Sequence, residues 1–225
     1  MWQWEELPDG IRFSLYSPDG EGGFPGNIRV ITDYRFNEDN ELSVRHYAET
    51  DCATYINMTN HAYFNLCGKG KKITEHRLHI PADRILDTTP AFIPTGKRMN
   101  VKNTPFDFTS LKPIGTDLYA DHEQLLWNKG YNHCYILKDE ISVEMLEAAS
   151  LYEPVTGRKM TVMTDLPAVL LYTAGYYERP DTAVCLETQF YPDTPSHSDF
   201  PSCLVLPEKA YEHCTLFHFQ VQKEE

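Results

Sequence analysis

Apolar side chains recur at alternate positions through much of this chain. Residues 28–36, IRVITDYRF, place Ile28, Val30, Tyr34 and Phe36 on one face at period two, which predicts a strand. The cluster NEDN at 37–40 predicts a turn. Residues 41–50 then return with Leu42, Val44, His46 and Ala48 aligned, so the two runs form a hairpin. A second hairpin is predicted over 143–165, around the Pro-Val-Thr-Gly turn at 154–157. Residues 209–221, KAYEHCTLFHFQV, alternate again, with Tyr211, Phe217, Phe219 and Val221 sharing a face. One short helix is predicted near 120–128, ADHEQLLWN, whereas 7–27 read as a turn-rich opening without a capping element. Many short strands between turn signals predict an all-β fold, a sandwich of large antiparallel sheets. No repeat, low-complexity tract or composition shift divides the chain, so residues 1–225 are expected to form a single domain.

Composition narrows the classes of function. The formal net charge is −13, which disfavours nucleic acid and anionic membrane surfaces and leans towards a neutral ligand over a phosphorylated one. No run of 18 apolar residues predicts a membrane-spanning helix, and MWQWEELPDG has neither the basic nor the apolar region of a signal peptide. A cytoplasmic location follows as an expectation. The six cysteines form no CxxC pair, so they are expected to be reduced and mostly buried.

The chemistry-bearing residues form three polar islands: 57–66 (NMTNHAYFNL), 130–137 (GYNHCYIL) and 183–202 (AVCLETQFYPDTPSHSDFPS). The first is either a turn whose polar groups cap the backbone or the floor of a polar-ligand pocket. In the third, Glu187 sits in an apolar strand and shares a face with Ala183, Cys185 and Gln189 at period two. It is either a solvated carboxylate on an edge strand or a buried one, raised towards neutrality and suited to general-base work. No metal site is expected. His76 and His79 fall on opposite faces of one strand, His213 and His218 are five apart on another, and His46 reads as a core histidine. There is no G-x-S-x-G elbow, P-loop or G-x-G-x-x-G, so neither a serine nucleophile nor a nucleotide cofactor is expected. A histidine acid and a glutamate base beside aromatics suit anomer interconversion of a pyranose, which requires no cofactor.

Together the islands resemble the aldose 1-epimerase (galactose mutarotase) family. NMTNHAYFNLCG is similar to that family's N-L-T-N-H-[ST]-Y-F-N-L-[AS]-G, and CLETQFYPDTPSHSDFPS to its C-L-E-T-Q-H-[FY]-P-D-[SA]-P-N-H-P-x-F-P-S. HIPADRILDTTPAFIPTGKRMNVKNTPFDF, SLYSPDGEGGFPGNIRV and LYTAGYY extend the likeness over nearly the whole chain. The resemblance implies a galactose-mutarotase-like β-supersandwich. It implies that Glu187 is the general base at the C1 hydroxyl and His61 the general acid at the ring oxygen. Asn132, Asn60, Tyr63 and Gln189 are then expected to bind a neutral hexose such as galactose or glucose. Asn132 stands where the family pattern G-[FY]-D-H-N has aspartate. The family's N-terminal strands, with N-x-x-x-G-R and H-G-G motifs on roughly a hundred further residues, a domain-sized stretch, have no counterpart here. The resemblance is thus to an N-terminally truncated member. Exposed sheet edges, covered by a second copy or a partner chain, are expected from it. Two alternatives stay open: a catalytically weak or inactive carbohydrate-binding relative, and a hexose-6-phosphate 1-epimerase, which requires a basic phosphate clamp that the scattered Arg84, Arg98 and Arg179 do not identify.

Overall fold

The computed structural model describes residues 1–68 and 70–222. Among these, the strands are β1 (Gln3–Leu7), β2 (Gly10–Ser17), β3 (Ile28–Phe36), β4 (Glu41–Thr50), β5 (Thr54–Tyr55), β6 (Arg77–His79), β7 (Arg84–Thr88) and β8 (Pro94–Asn100). They continue as β9 (Lys112–Pro113), β10 (Asn132–Ile136), β11 (Leu146–Glu153), β12 (Arg158–Thr164), β13 (Ala168–Tyr172), β14 (Cys185–Gln189), β15 (Leu204–Val205) and β16 (Tyr211–Val221). One nine-stranded sheet runs β1-β2-β3-β4-β16-β12-β11-β6-β9, a five-stranded sheet runs β14-β13-β10-β7-β8, and β15 pairs with β5. Neighbouring strands pair antiparallel, as in β3 with β4 and β13 with β14.

Both predicted hairpins form, β3–β4 and β11–β12. Ile28, Val30, Tyr34 and Phe36 meet Thr50, Ala48, Val44 and Leu42 across the first. The helix α1 (Glu123–Asn128) is shorter than its predicted range. His122 caps it by accepting from the Gln124 N–H, and Lys129 ends it in the left-handed region. The turn-rich opening is instead an antiparallel hairpin, β1–β2. Its alternation, Ile11-Phe13-Leu15, lies among turn residues, and pairing with β3 decides its conformation. Gly10 marks that pairing: a Cβ there would stand 1.9 Å from the Tyr34 carbonyl oxygen.

The two large sheets enclose the main core. Val44, Leu78, Leu151, Val162 and Phe217 of the larger sheet belong to one buried cluster with Ile85, Tyr135, Val169, Leu171 and Leu186 of the smaller. Burial of each such side chain contributes about 1.5–3 kcal/mol relative to exposure. His133 points into this cluster's side of β10, fully buried against Phe106. His46 is buried on Thr32 Oγ1 at 2.9 Å, in keeping with a core histidine. His76 accepts from the Leu66 N–H while His79 faces Glu147, so the two serve separate partners.

Candidate active site

Residues 57–64 run alongside β14 and are fastened to it at both ends. At one end Asn57 Nδ2 donates to the Phe190 carbonyl at 3.1 Å, and its Oδ1 accepts from the Phe190 N–H at 2.9 Å. The carboxamide thereby imitates a backbone bridge. At the other end Phe64 and Val184 exchange two backbone hydrogen bonds, at 2.8 and 2.9 Å. Glu187 lies midway between Val184 and Phe190, and His61 falls opposite it. His61 Nε2 is 3.3 Å from Glu187 Oε1.

This placement resolves the reading of Glu187. β14 is the edge of its sheet, yet Glu187 is buried, with 8% of its side chain exposed against 51% for His61. Glu187 stands in register with Leu170 of β13 and, beyond it, Cys134 of β10. Burial pushes the Glu187 carboxyl up from its usual range, and the neighbouring His61 offsets only part of that shift.

The polar side chains of the 57–66 segment cap its own backbone and brace it against neighbouring chain. Asn60 donates to the Tyr34 hydroxyl at 2.7 Å and accepts from the Ala62 N–H at 3.1 Å. Asn65 donates to the carbonyls of Lys71 and Thr182 and accepts from the Cys67 N–H. The Met58 N–H reaches the buried Tyr211 hydroxyl at 3.1 Å. The asparagines and the backbone therefore shape the loop, while His61 and Tyr63 face the site.

An aromatic wall flanks the pair. Tyr63 stacks on His61 with ring centroids 5.0 Å apart, and Tyr172 meets His61 edge-on at 6.0 Å. Tyr177 adjoins Tyr63 at 5.5 Å. Tyr177 follows a tight turn at Ala174–Gly175, where a Cβ on Gly175 would come within 2.2 Å of the Lys129 carbonyl oxygen. Asn132 is in register with Tyr172, and Tyr172 with Cys185, so the half-buried Asn132 occupies the site-bearing face of the small sheet. Gln189 shares that face, buried, two residues beyond Glu187.

Sequence reasoning missed Tyr172, Tyr177 and Cys185 as site residues. Alternation from Glu187 placed Cys185 on the right face. Only strand pairing and the loop's path bring Tyr172 and His61 beside it.

Residues 1–218 match the family model described as aldose 1-epimerase. The chain belongs to that family. It is 34% identical over 233 aligned residues to galactose mutarotase of Rattus norvegicus, a match covering 98% of this chain and 66% of the relative. Aldose 1-epimerase of Escherichia coli K12 is 32% identical, over 93% of this chain and 63% of its own. The chain thus spans about two thirds of the length of the curated relatives it matches. Among solved structures, galactose 1-epimerase from Lactobacillus acidophilus superposes with a TM-score of 0.82 at 25% identity, covering 98% of this chain and 66% of that one. An aldose epimerase homologue from C. elegans gives 0.86 at 24% identity, with 99% and 69% covered, and supports the fold.

The cysteines are all free, but only Cys134, Cys185 and Cys203 are buried; Cys52 is exposed. The expectation of mostly buried thiols is met by half of them. No helix among the described residues is long and apolar enough to cross a membrane.

Proposed function

We propose that this chain carries the catalytic pair of an aldose 1-epimerase acting on a neutral hexose such as galactose or glucose. The observation that carries the proposal is His61 held 3.3 Å from a buried, pKa-raised Glu187 beside three tyrosines. Glu187 takes the proton of the C1 hydroxyl while His61 delivers one to the ring oxygen. The C1–O5 bond breaks, C1 becomes an aldehyde, and rotation about C1–C2 presents its other face to the C5 hydroxyl. Ring closure returns both protons. The two oxygens share one carbon, so an acid and a base only a few ångströms apart can serve both. Tyr63 and Tyr172 offer ring faces to the sugar, and Asn132 and Gln189 offer amides to its hydroxyls. Asn60, engaged with Tyr34 and Ala62, orients the loop.

Arg84 and Arg98 are held by Asp139 and Asp199, which favours an uncharged sugar over a sugar phosphate. The six unpaired cysteines suit a reducing compartment such as the cytoplasm. At the outer edge of the large sheet, Trp4 of β1 is exposed, and Trp2 just before it lines an apolar groove of about 710 Å³ with Phe13, Tyr34, Phe36 and Leu42. This supports a second copy of the chain as the cover for that edge.

Polarimetry on freshly dissolved α-D-galactose or α-D-glucose tests the activity. Glu187→Gln is expected to lower the catalysed rate by about 10²–10⁴-fold. If Glu187→Gln keeps the parent's rate, Glu187 is not the base. A parent rate equal to buffer, with sugar binding still measurable by calorimetry, replaces the isomerase with a sugar-binding protein.

A further inference from the structure

Histidines three or five apart on one strand fall on opposite faces, so their spacing predicts no metal site. The tertiary structure assembles a different set. His61 Nε2, Cys185 Sγ and a Glu187 carboxylate oxygen all lie within 4.8 Å of one another. Two ligands come from one face of β14 and the third from the stapled loop, so no local motif announces them. From the geometry and chemistry of these three groups, we infer that this cluster binds a borderline-soft divalent cation of the zinc type, reversibly, in the same cleft as the proposed acid–base pair.

Ideal tetrahedral zinc, with bonds of about 2.0–2.3 Å to N, O and S, places its ligand atoms about 3.3–3.6 Å apart. His61 Nε2 and Glu187 Oε1 are already 3.3 Å apart. The sulfur has at most about an ångström to close, an adjustment within reach of side-chain torsions. The donor set of imidazole, thiolate and carboxylate matches zinc and cobalt, whereas magnesium and calcium favour all-oxygen shells. Thiolate and carboxylate carry two negative charges between them, so a dication makes the buried cluster neutral overall. His61 is the solvent-facing ligand and leaves an approach from outside. Three protein ligands leave the fourth position for water.

The cation takes the Cys185 sulfur as thiolate, which has to give up its proton. Binding therefore releases that proton to solvent as the S–metal bond forms, with no change of oxidation state, and affinity rises with pH. Metal and substrate then compete, because the cation ties up the atoms with which His61 and Glu187 exchange protons. The inhibitory consequence rests on the proposed activity, while the binding does not.

Cobalt(II) is the probe, because thiolate ligation gives a near-ultraviolet charge-transfer band and tetrahedral geometry an intense visible band. The parent chain is expected to show both, and zinc to bleach them. Cys185→Ser is expected to lose the charge-transfer band, and Cys52→Ser to keep it. His61→Ala, altered on the exposed side, is expected to weaken zinc binding by about tenfold or more, by analogy with the loss seen when support of a metal ligand is removed. Absence of the thiolate band in the parent at saturating cobalt overturns the site. So does its survival in Cys185→Ser, or unchanged zinc affinity in His61→Ala. Polarimetry separates the two claims. Metal binding in a chain that never accelerates mutarotation refutes the activity and leaves the site. Mutarotation unaffected by bound zinc refutes the shared cleft.

Discussion

Replacing Asn57 by alanine tests the idea that a side-chain staple sets the distance between His61 and Glu187. The substitution removes two hydrogen bonds, of 3.1 and 2.9 Å, to the backbone of Phe190. Each such bond contributes about 0.5–1.5 kcal/mol net, so the chain should lose about 1–3 kcal/mol. Asn57 itself is exposed, and water can reach the vacated groups, which holds the loss within that range. For a domain of this size, a loss near the middle of the range lowers Tm by about 4–8 °C. The Phe64–Val184 bridge remains, so the segment pivots without detaching, and His61 shifts relative to Glu187. A displacement of about 1 Å in such a pair costs on the order of 10²-fold in rate. Differential scanning calorimetry reads the first effect and polarimetry on α-D-galactose the second. Asn57→Asp keeps the acceptor for the Phe190 N–H but loses the donor, and it should fall lower than the parent in both measurements. An alanine variant with the parent's Tm and rate refutes the staple. A lowered Tm with an unchanged rate refutes the link between staple and site geometry.

Two further outcomes follow from the site and the sheet edge. The Glu187 carboxyl is raised in the fold by burial, so its favourable contribution is full below the ordinary glutamate value of about 4.3 and is lost as pH rises through the raised value. Urea melts against pH should therefore show Glu187→Gln gaining on the parent across that window. The acid limb of the parent's mutarotation profile should lie above the ordinary glutamate range, and a limb at or below it refutes a buried base. Sedimentation should show concentration-dependent self-association of the parent, reduced in Trp4→Lys; a monomer at every concentration refutes the covered β1 edge.

Strand periodicity is a local property, and it was legible wherever alternation was uninterrupted. Ile28 to Ala48 and Tyr211 to Val221 each declare a face because backbone pleating alone sends neighbours to opposite sides. The alternation around Glu187 likewise placed Cys185 and Gln189 with it. The motifs in 57–66 and 185–202 pointed to the family, and with it to the sandwich. What the chain order left open was whether Glu187 is solvated and what Asn57, Asn60 and Asn65 do. Asn57 and Asn65 depend on residues more than a hundred positions away, Phe190 and Thr182, and Asn60 on Tyr34 of β3. The opening hairpin needed β3 as a pairing partner, and the His61–Cys185–Glu187 cluster needed the loop to lie along β14. Periodicity says which face a side chain takes. Only the tertiary fold says what that face meets, and there desolvation and approach distance turn a glutamate in a strand into a candidate base.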